Sequence, residues 1–333
     1  MTPHDSLPLA EGSEGEAVAD VQRRLEQLNL STAPDPSGCF GAATRAAIED
    51  FQRRRGLPID GIVGSYTWST LVEAGFSLGD RPLYRRVKML RGDDVAELQR
   101  RLCALGFDTG RVDGIFGDLT AAAVTEFQDN AGLSTDGVVG DQTVLALLRL
   151  ASRSLDPQLI SAVRDRERLR QASPNLAGRA LCLGDLGGMA TVVGALARRL
   201  QRHGASVTVL SDPDEAAQAQ AANLAEAEVY LGLRLDPGAS RCRTMFYRGY
   251  TYESPGGRML AELIATQLPS ELGGSRDAAG MALPILRFTQ MSAVVVESGP
   301  AERIVEHSGL LADALASACE HFAVASTAPI AHA

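Results

Sequence analysis

The side chains of this chain that could bind a metal ion most strongly are five histidines and five cysteines. No two cysteines have the Cys-x-x-Cys spacing that is typical of zinc sites. His4 and His332 lie in the terminal segments, and His203 ends a predicted helix. His307 and His321 are 14 positions apart on one predicted helix, a separation of about 21 Å. The spacing of these residues therefore predicts no metal site.

Length and composition indicate a soluble globular protein of two or three domains, with 333 residues, 45% hydrophobic and 22% charged. A net charge of −9 argues against nucleic acid as a partner, because binding phosphates needs clustered Lys and Arg. No apolar run approaches the ~18 residues of a membrane span. The first residues have no basic stretch followed by an apolar one, so we expect no signal peptide. Unpaired cysteines suit a reducing compartment, and we expect a cytoplasmic location.

One stretch of sequence occurs twice. Residues 15–25 resemble residues 92–102, and each copy continues with a Phe-Gln pair and a Gly-Leu-x-x-Asp-Gly-x-Val-Gly segment. Four Gly-x-x-Thr segments, which begin at Gly41, Gly64, Gly117 and Gly140, stand at predicted helix entrances. The pattern predicts two all-α modules of three helices each, at 12–75 and 88–150, after a flexible tail at 1–11.

These modules resemble the type 1 peptidoglycan-binding domain. The second copy carries every element of that signature, while the first has Ser37 in place of the first turn aspartate. The resemblance implies that a glycan or a partner contacts the turns, and the weak candidates are Asp60, Asp113, Phe116 and Asp136. The alternative is that Phe116 belongs to the core and that the Asp-Gly turns are structural.

The spacing of apolar residues along the sequence changes after residue 177. Residues 151–177 alternate Arg with Asp and Glu, which predicts a solvated linker helix. From 178 to 323, apolar segments typical of buried strands alternate with helical segments, and this order predicts an open α/β sheet. Neither a GxGxxG nor a GK[ST] motif accompanies the first strand, so nucleotide binding gains no support. Residues 324–333 are predicted to form a tail.

The order of elements in this second half resembles the zinc-dependent N-acetylmuramoyl-L-alanine amidase domain of the type 3 family. Residues 183–188, 227–234 and 292–299 stand where that family has its Asp-Pro-Gly-His-Gly-Gly, Ala-Asp-x-x-x-Ser-x-His and Val-Glu-x-Gly segments. The resemblance implies a zinc ion held by two His and one Glu, with a second Glu as general base.

The residues at those positions argue against metal catalysis. Leu186 and Arg234 stand at the two His positions, and a guanidinium repels zinc rather than binding it. The loop that would carry the Glu ligand is missing, so that Asp185 is the nearest carboxylate, and Glu297 keeps the general-base position. We therefore expect no cofactor, with zinc only if the chain is an active amidase, and a buried ion pair between Glu297 and Arg234.

Tandem modules followed by a ligand-stripped amidase domain resemble the CwlM-type proteins of actinobacteria. The resemblance implies a non-catalytic regulator or scaffold of peptidoglycan biosynthesis that contacts UDP-N-acetylglucosamine enolpyruvyl transferase and is controlled by a Ser/Thr kinase. Ser326 and Thr327 are the candidate phosphorylation sites, and unstructured tail is the alternative interpretation of both. Two other functions stay open: an active cell-wall amidase, and a protein that binds a peptidoglycan fragment or a lipid precursor.

Overall fold

The computed structural model describes residues 7–87, 89–150, 173–250, 252–273 and 278–327. The chain divides into a helical unit and an α/β unit. The predicted fold class, all-α modules followed by an open α/β sheet, is confirmed. Of the expected linker helix, residues 151–172 lie outside the described residues, and residues 173–177 are not helical.

Each module of the helical unit consists of three helices. Module 1 contains α1 (Glu16–Gln27), α2 (Ala42–Arg55) and α3 (Ser65–Glu73), and module 2 contains α4 (Asp93–Ala104), α5 (Asp118–Asn130) and α6 (Asp141–Leu150). Four of these helices begin directly after the glycine of a Gly-x-x-Thr segment. Apolar residues at helical spacing meet in the centre of each module, as Val95, Leu98 and Leu102 of α4 do with Phe116 and Phe127.

Both modules begin earlier than the sequence indicated. Leu9 is buried and pairs through its backbone with Val63, so residues 7–11 are not a free tail. In the same way Leu83, which is fully buried, pairs with Val139. The Leu83 N–H donates to the Val139 carbonyl oxygen at 3.2 Å, and the Val139 N–H donates to the Leu83 carbonyl oxygen at 2.8 Å. The stretch before residue 88, expected to bridge the repeats, therefore supplies a structural part of module 2.

The second unit alternates strands and helices. Its elements are β1 (Ala180–Asp185), α7 (Ala190–Arg202), β2 (Ser206–Leu210), α8 (Glu215–Leu224), β3 (Val229–Leu235), β4 (Arg243–Tyr247), α9 (Pro255–Gln267), β5 (Ala278–Met281), α10 (Pro284–Phe288), β6 (Ser292–Ser298), α11 (Ala301–Glu306) and α12 (Ser308–Thr327). The sequence predicts a single long helix over 301–322, and the structure confirms its start at Ala301. It is interrupted at His307, and its second part continues to Thr327.

The strands form one sheet in the order β2-β1-β3-β6-β4-β5. Strands β1, β2, β3 and β6 run parallel, and β4 is antiparallel to β6. Alternate residues of the strands form one apolar face, on which Leu183, Leu231 and Val294 pack with residues of α7, α9 and α12. The carboxyl ends of β1, β3 and β6 meet at one edge of the sheet, and the residues singled out from the sequence lie there.

Candidate functional site

A buried glutamine organises each turn of the modules. In module 2, the side-chain oxygen of Gln99 accepts the backbone N–H of Gly114 at 2.8 Å. Its amide nitrogen donates to Asp113 Oδ1, to the carbonyl oxygen of Ile115 and to Thr120 Oγ1, at 3.1, 3.0 and 3.1 Å. One side chain thereby joins α4, the turn and the first residues of α5. We call such an arrangement a glutamine hub.

The same hub occurs around Gln52 and Gln128. Each amide nitrogen donates to the aspartate of the following Asp-Gly turn, at 2.7 Å to Asp60 and 2.9 Å to Asp136. Each also reaches a backbone carbonyl and the threonine of the next helix entrance. The glutamine that recurs in the first and second helix of each module is thus the residue on which the turns depend, a role that its recurrence at equivalent positions could have indicated.

The hub of Gln22 departs from this pattern because Ser37 replaces the turn aspartate. Its amide nitrogen donates to the carbonyl oxygen of Pro36 in place of an aspartate, and it keeps the bonds to the Cys39 carbonyl oxygen and to Thr44 Oγ1. Asp35 supplies the missing carboxylate nearby, where its Oδ2 accepts the backbone N–H of Thr44 at 2.6 Å. That bond from the Thr44 backbone, followed by one from its hydroxyl, holds the pKa of Asp35 below its usual value. Module 1 therefore keeps its first turn by a different carboxylate.

The residues proposed to contact a glycan or a partner differ in how exposed they are. Phe116 is completely buried, so a contact with a ligand at that ring is wrong, and its role is in the core. Asp60 and Asp136 are exposed at their turns, although Oδ1 of each is engaged by its hub, and Asp113 is half-buried. Ile59 and Ile62 beside Asp60 expose 53% and 39% of their surface, an apolar pair that the sequence interpretation missed.

At the edge of the sheet, the structure brings Leu186, Arg234 and Glu297 together. Arg234 of β3 and Glu297 of β6 are register partners in adjacent parallel strands. Leu186 follows β1 and donates its backbone N–H to the carbonyl oxygen of Leu233 at 2.8 Å. Its side chain covers Gly232, since a Cβ at that glycine would lie 2.9 Å from Leu186 Cδ1.

The ion pair of Arg234 is formed with Glu215, and the expected pair with Glu297 is wrong. Arg234 Nη2 contacts Glu215 Oε1, and the two side chains are 25% and 22% exposed. The other oxygen, Glu215 Oε2, accepts the backbone N–H of Ile285 at 3.1 Å. The guanidinium is therefore paired with a residue from the first turn of α8 and not with one from β6. Through its two oxygens, the Glu215 carboxylate connects α8 with β3 and with α10.

Glu297 is half-buried between two arginines in the register of the sheet, Arg234 on β3 and Arg243 on β4. Within the described residues it forms no ion pair, and Arg243 extends toward Met281 Sδ at 3.9 Å. Opposite charges in neighbouring register positions favour each other without direct contact. Among the described residues, Glu297 thus has two cationic register neighbours and no direct ion pair.

Asp185 is used by the backbone of the next helix. Its Oδ1 accepts the N–H groups of Gly187 and Met189, at 2.9 and 3.1 Å, and so holds the turn before α7. Beneath it, the buried Tyr230 hydroxyl donates to Gln218 Oε1, and the Gln218 amide donates to the carbonyl oxygen of Asp212 at 2.8 Å. Burial, the first cause, and Glu215 raise the pKa of Tyr230.

Zinc does not fit the residues at this edge. The positions that the resemblance assigns to histidine carry an alkyl group and a guanidinium, and the carboxylate nearest the guanidinium is already paired with it. Across the described parts of the chain, no three His, Cys, Asp or Glu side chains are grouped so that they could hold a metal ion.

The candidate phosphorylation sites lie in the last turn of α12, so the expected tail at that point is wrong. Ser326 is buried, donates to the carbonyl oxygen of Ala323 at 3.2 Å and accepts from Arg179 Nη2 at 3.4 Å. Thr327 is half-buried and donates to the carbonyl oxygen of Val324 at 2.9 Å. Residues 328–333 lie outside the described residues.

Comparisons with known proteins gave matches to both halves of the chain. A family model described as a putative peptidoglycan binding domain matches residues 14–71 and 91–147. The N-acetylmuramoyl-L-alanine amidase CwlM of Mycobacterium tuberculosis is 34% identical over 329 residues, which cover 86% of this chain and 80% of that protein. The chain belongs to the CwlM family.

Other matches of this CwlM-family chain are partial. The N-acetylmuramoyl-L-alanine amidase CwlL of Bacillus licheniformis is 32% identical over 163 residues, which cover 43% of this chain and 45% of that protein. Among solved structures, the amidase AmiC2 of Nostoc punctiforme covers 43% of this chain and 96% of its own, with 16% identity and a TM-score of 0.36. No helix in the described ranges is long and apolar enough to span a membrane.

Proposed function

We propose that this protein is a non-catalytic regulator or scaffold of peptidoglycan biosynthesis. The observation that carries the proposal is the Arg234–Glu215 ion pair, which sits with Leu186 where the amidase resemblance requires two zinc-binding histidines. Converting this edge to a zinc site would require the loss of a guanidinium and the release of Glu215. Amide hydrolysis that depends on a zinc-activated water therefore has no support from the residues present.

The modules supply the recognition part of the proposal. Both copies match the peptidoglycan-binding family model, which supports a peptidoglycan precursor or fragment as ligand. Asp60 and Asp136 are exposed at equivalent turns, and each keeps one carboxylate oxygen outside its glutamine hub. We propose these two turns as the contact points, with Ile59 and Ile62 adding apolar surface at the first.

Location and protein partners are further parts of the proposal. All five cysteines are free thiols, and burial raises the pKa of Cys319 to about 12. Unpaired thiols are compatible with the reducing cytoplasm that we propose as the location. The family resemblance supports UDP-N-acetylglucosamine enolpyruvyl transferase as partner and a Ser/Thr kinase as regulator. Thr327 is the better candidate for modification, because Ser326 is buried.

Zinc analysis and a hydrolysis assay test the catalytic part. The purified full chain is expected to contain no stoichiometric zinc and to release no peptide from muropeptides, before and after incubation with zinc. Zinc at one equivalent together with amide cleavage would contradict the proposal and favour an active amidase.

Two binding measurements separate a regulator from a simple fragment binder. Soluble muropeptide is expected to shift the NMR signals of residues around Asp60 and Asp136, and an Asp60→Ala/Asp136→Ala variant is expected to lose the shifts. Asp50→Ala, a half-buried carboxylate of α2 that pairs with Arg53 and Arg54 and takes no part in a glutamine hub, is the matched control. Titration with the purified transferase is expected to give a complex. Muropeptide binding without that complex would favour the fragment binder.

A further inference from the structure

The joint between the two modules is held by side chains at which the repeats differ. The hub glutamines and their threonines, which both copies share, form hydrogen bonds within their own module. The joint instead uses Arg55 at the end of α2, Asp93 and Asp94 at the start of α4, and Arg81 between the modules. At equivalent positions the repeat has Ala131 for Arg55, Glu16 for Asp93 and Ala17 for Asp94.

One ion pair crosses directly from module 1 to module 2. Arg55 Nη1 and Nη2 donate to Asp93 Oδ1 and Oδ2 at 2.7 and 2.8 Å. This bidentate contact fixes the orientation of the two side chains as well as their distance. The Arg55 side chain is only 13% exposed, so solvent and salt screen the pair less than they screen a surface contact.

A second ion pair fixes the connecting segment to module 2. Asp94 is buried, and Arg81 Nε and Nη2 donate to its two carboxylate oxygens at 2.7 and 3.2 Å. Arg81 Nη2 also donates to the carbonyl oxygen of Arg91 at 2.6 Å, and its guanidinium lies 3.8 Å from the ring centroid of Phe76. Loss of Arg81 would leave the Asp94 carboxylate buried and unpaired, which is strongly destabilising.

The backbones also approach closely at the joint. A Cβ at Gly92, the residue before α4, would lie 3.1 Å from the carbonyl oxygen of Glu73 at the end of α3. The segment that leads into module 2 is anchored further by the pairing of Leu83 with Val139. Little of the connection is therefore free to act as a flexible linker.

We propose that the two modules form one rigid recognition element, held at a fixed relative orientation by the Arg55–Asp93 pair. A partner then meets the turns of both modules at a constant spacing and orientation, rather than on two domains that move independently. This inference goes beyond the proposed function, because it holds whichever ligand or protein the modules recognise.

Residual dipolar couplings of the full-length chain test the proposal. A rigid pair gives one alignment tensor for the amides of α1, α2 and α3 and for those of α4, α5 and α6. Arg55→Glu places like charges at the joint and is expected to split this common tensor into two. Arg53→Glu is the matched control, since Arg53 lies on the same helix and pairs with Asp50 of its own module.

The charge-swapped variant Arg55→Glu/Asp93→Arg is expected to restore a single tensor. Chemical shifts of the hub amides of Gly61 and Gly137 report whether each module stays folded in every variant. Two tensors in the unaltered chain would overturn the proposal. A single tensor in Arg55→Glu, with both hubs intact, would overturn the role assigned to the ion pair.

Discussion

Single side chains at the edge of the sheet decide whether this domain can hold a metal. Glu215 lies at the start of α8, where it reaches both the Arg234 guanidinium and the backbone N–H of Ile285. A carboxylate that satisfies a cation and a helix terminus at once is more constrained than one in a surface pair. Glu297, beside Arg234 in register, lacks such contacts among the described residues. The two glutamates should therefore respond differently to mutation.

A double-mutant cycle measures this difference. Arg234→Met leaves the Glu215 carboxylate without its cation and is expected to lower the free energy of unfolding by about 1–2 kcal/mol, discounted for partial exposure. The coupling energy between Arg234→Met and Glu215→Leu is expected to be about 1 kcal/mol by urea unfolding. The corresponding cycle with Glu297→Gln should give almost none. A larger coupling to Glu297 than to Glu215 would show that the ion pair is assigned to the wrong carboxylate.

A carboxylate in a turn makes the helical unit sensitive to acid. Hydrogen bonds from the Val138 backbone and then from Gln128 lower the pKa of Asp136 below 3.8. Because the folded pKa is depressed, its stabilisation is present above pH 3.8 and is lost as pH falls through the lower, folded value. Asp136→Asn retains an acceptor oxygen but cannot titrate. Acid unfolding curves of this variant are expected to be flatter below pH 3.8, and an unchanged slope would contradict this role.

At the scale of elements, a polar contact between β3 and α8 covers a glycine of the neighbouring strand β1. The Tyr230 hydroxyl and the Gln218 side chain occupy the space over Gly184 of β1, where any Cβ would overlap both. Glycine is required there by the neighbouring strand and helix α8. By contrast, Gly194 lies within α7, and a Cβ there would meet only Arg198 Nη1 at 3.6 Å.

Alanine at these two glycines should have effects of opposite sign. Gly184→Ala must displace Tyr230 and its hydrogen bond, and is expected to cost about 2–3 kcal/mol. Gly194→Ala removes a flexible residue from a helix interior and is expected to stabilise by about 0.5–1 kcal/mol. Thermal or urea unfolding of the full chain measures both. Stabilisation by Gly184→Ala would mean that Tyr230 does not occupy this position.

Elements were easier to predict from the sequence than their ends or their contacts. The duplicated Gly-x-x-Thr entrances fixed the starts of four module helices, because the glycine and the threonine act locally. Leu9 and Leu83 were misplaced, since their burial depends on pairing with Val63 and Val139 far along the chain. Strand β5 (Ala278–Met281) has little intrinsic strand preference and forms through pairing with β4. The Arg234–Glu215 pair likewise needs the packing of α8 against the sheet.

At the scale of the whole molecule, the chain combines a duplicated helical unit with an α/β unit whose sheet edge carries paired charges. A domain that folds around zinc gains stability from the metal and loses it on chelation, because the ion binds only the folded state. Here Arg234, at a position that the amidase resemblance assigns to a zinc-binding histidine, pairs with Glu215, and such a side-chain cation cannot be removed by a chelator. Stability of the α/β unit should therefore be independent of metal.

Chelation provides the corresponding test. The unfolding midpoint of the full chain is expected to be the same in EDTA and in excess zinc, since the described residues offer no set of three metal-binding side chains. A Leu186→His/Arg234→His variant frees Glu215 from the guanidinium and puts histidine at the two positions to which the amidase resemblance assigns it. It is expected to bind one zinc and to gain a metal-dependent midpoint, while Leu186→Ala/Arg234→Ala is not. A midpoint of the unaltered chain that falls in EDTA would mean that the native protein holds a metal, and the guanidinium could then no longer be regarded as the cation of this site.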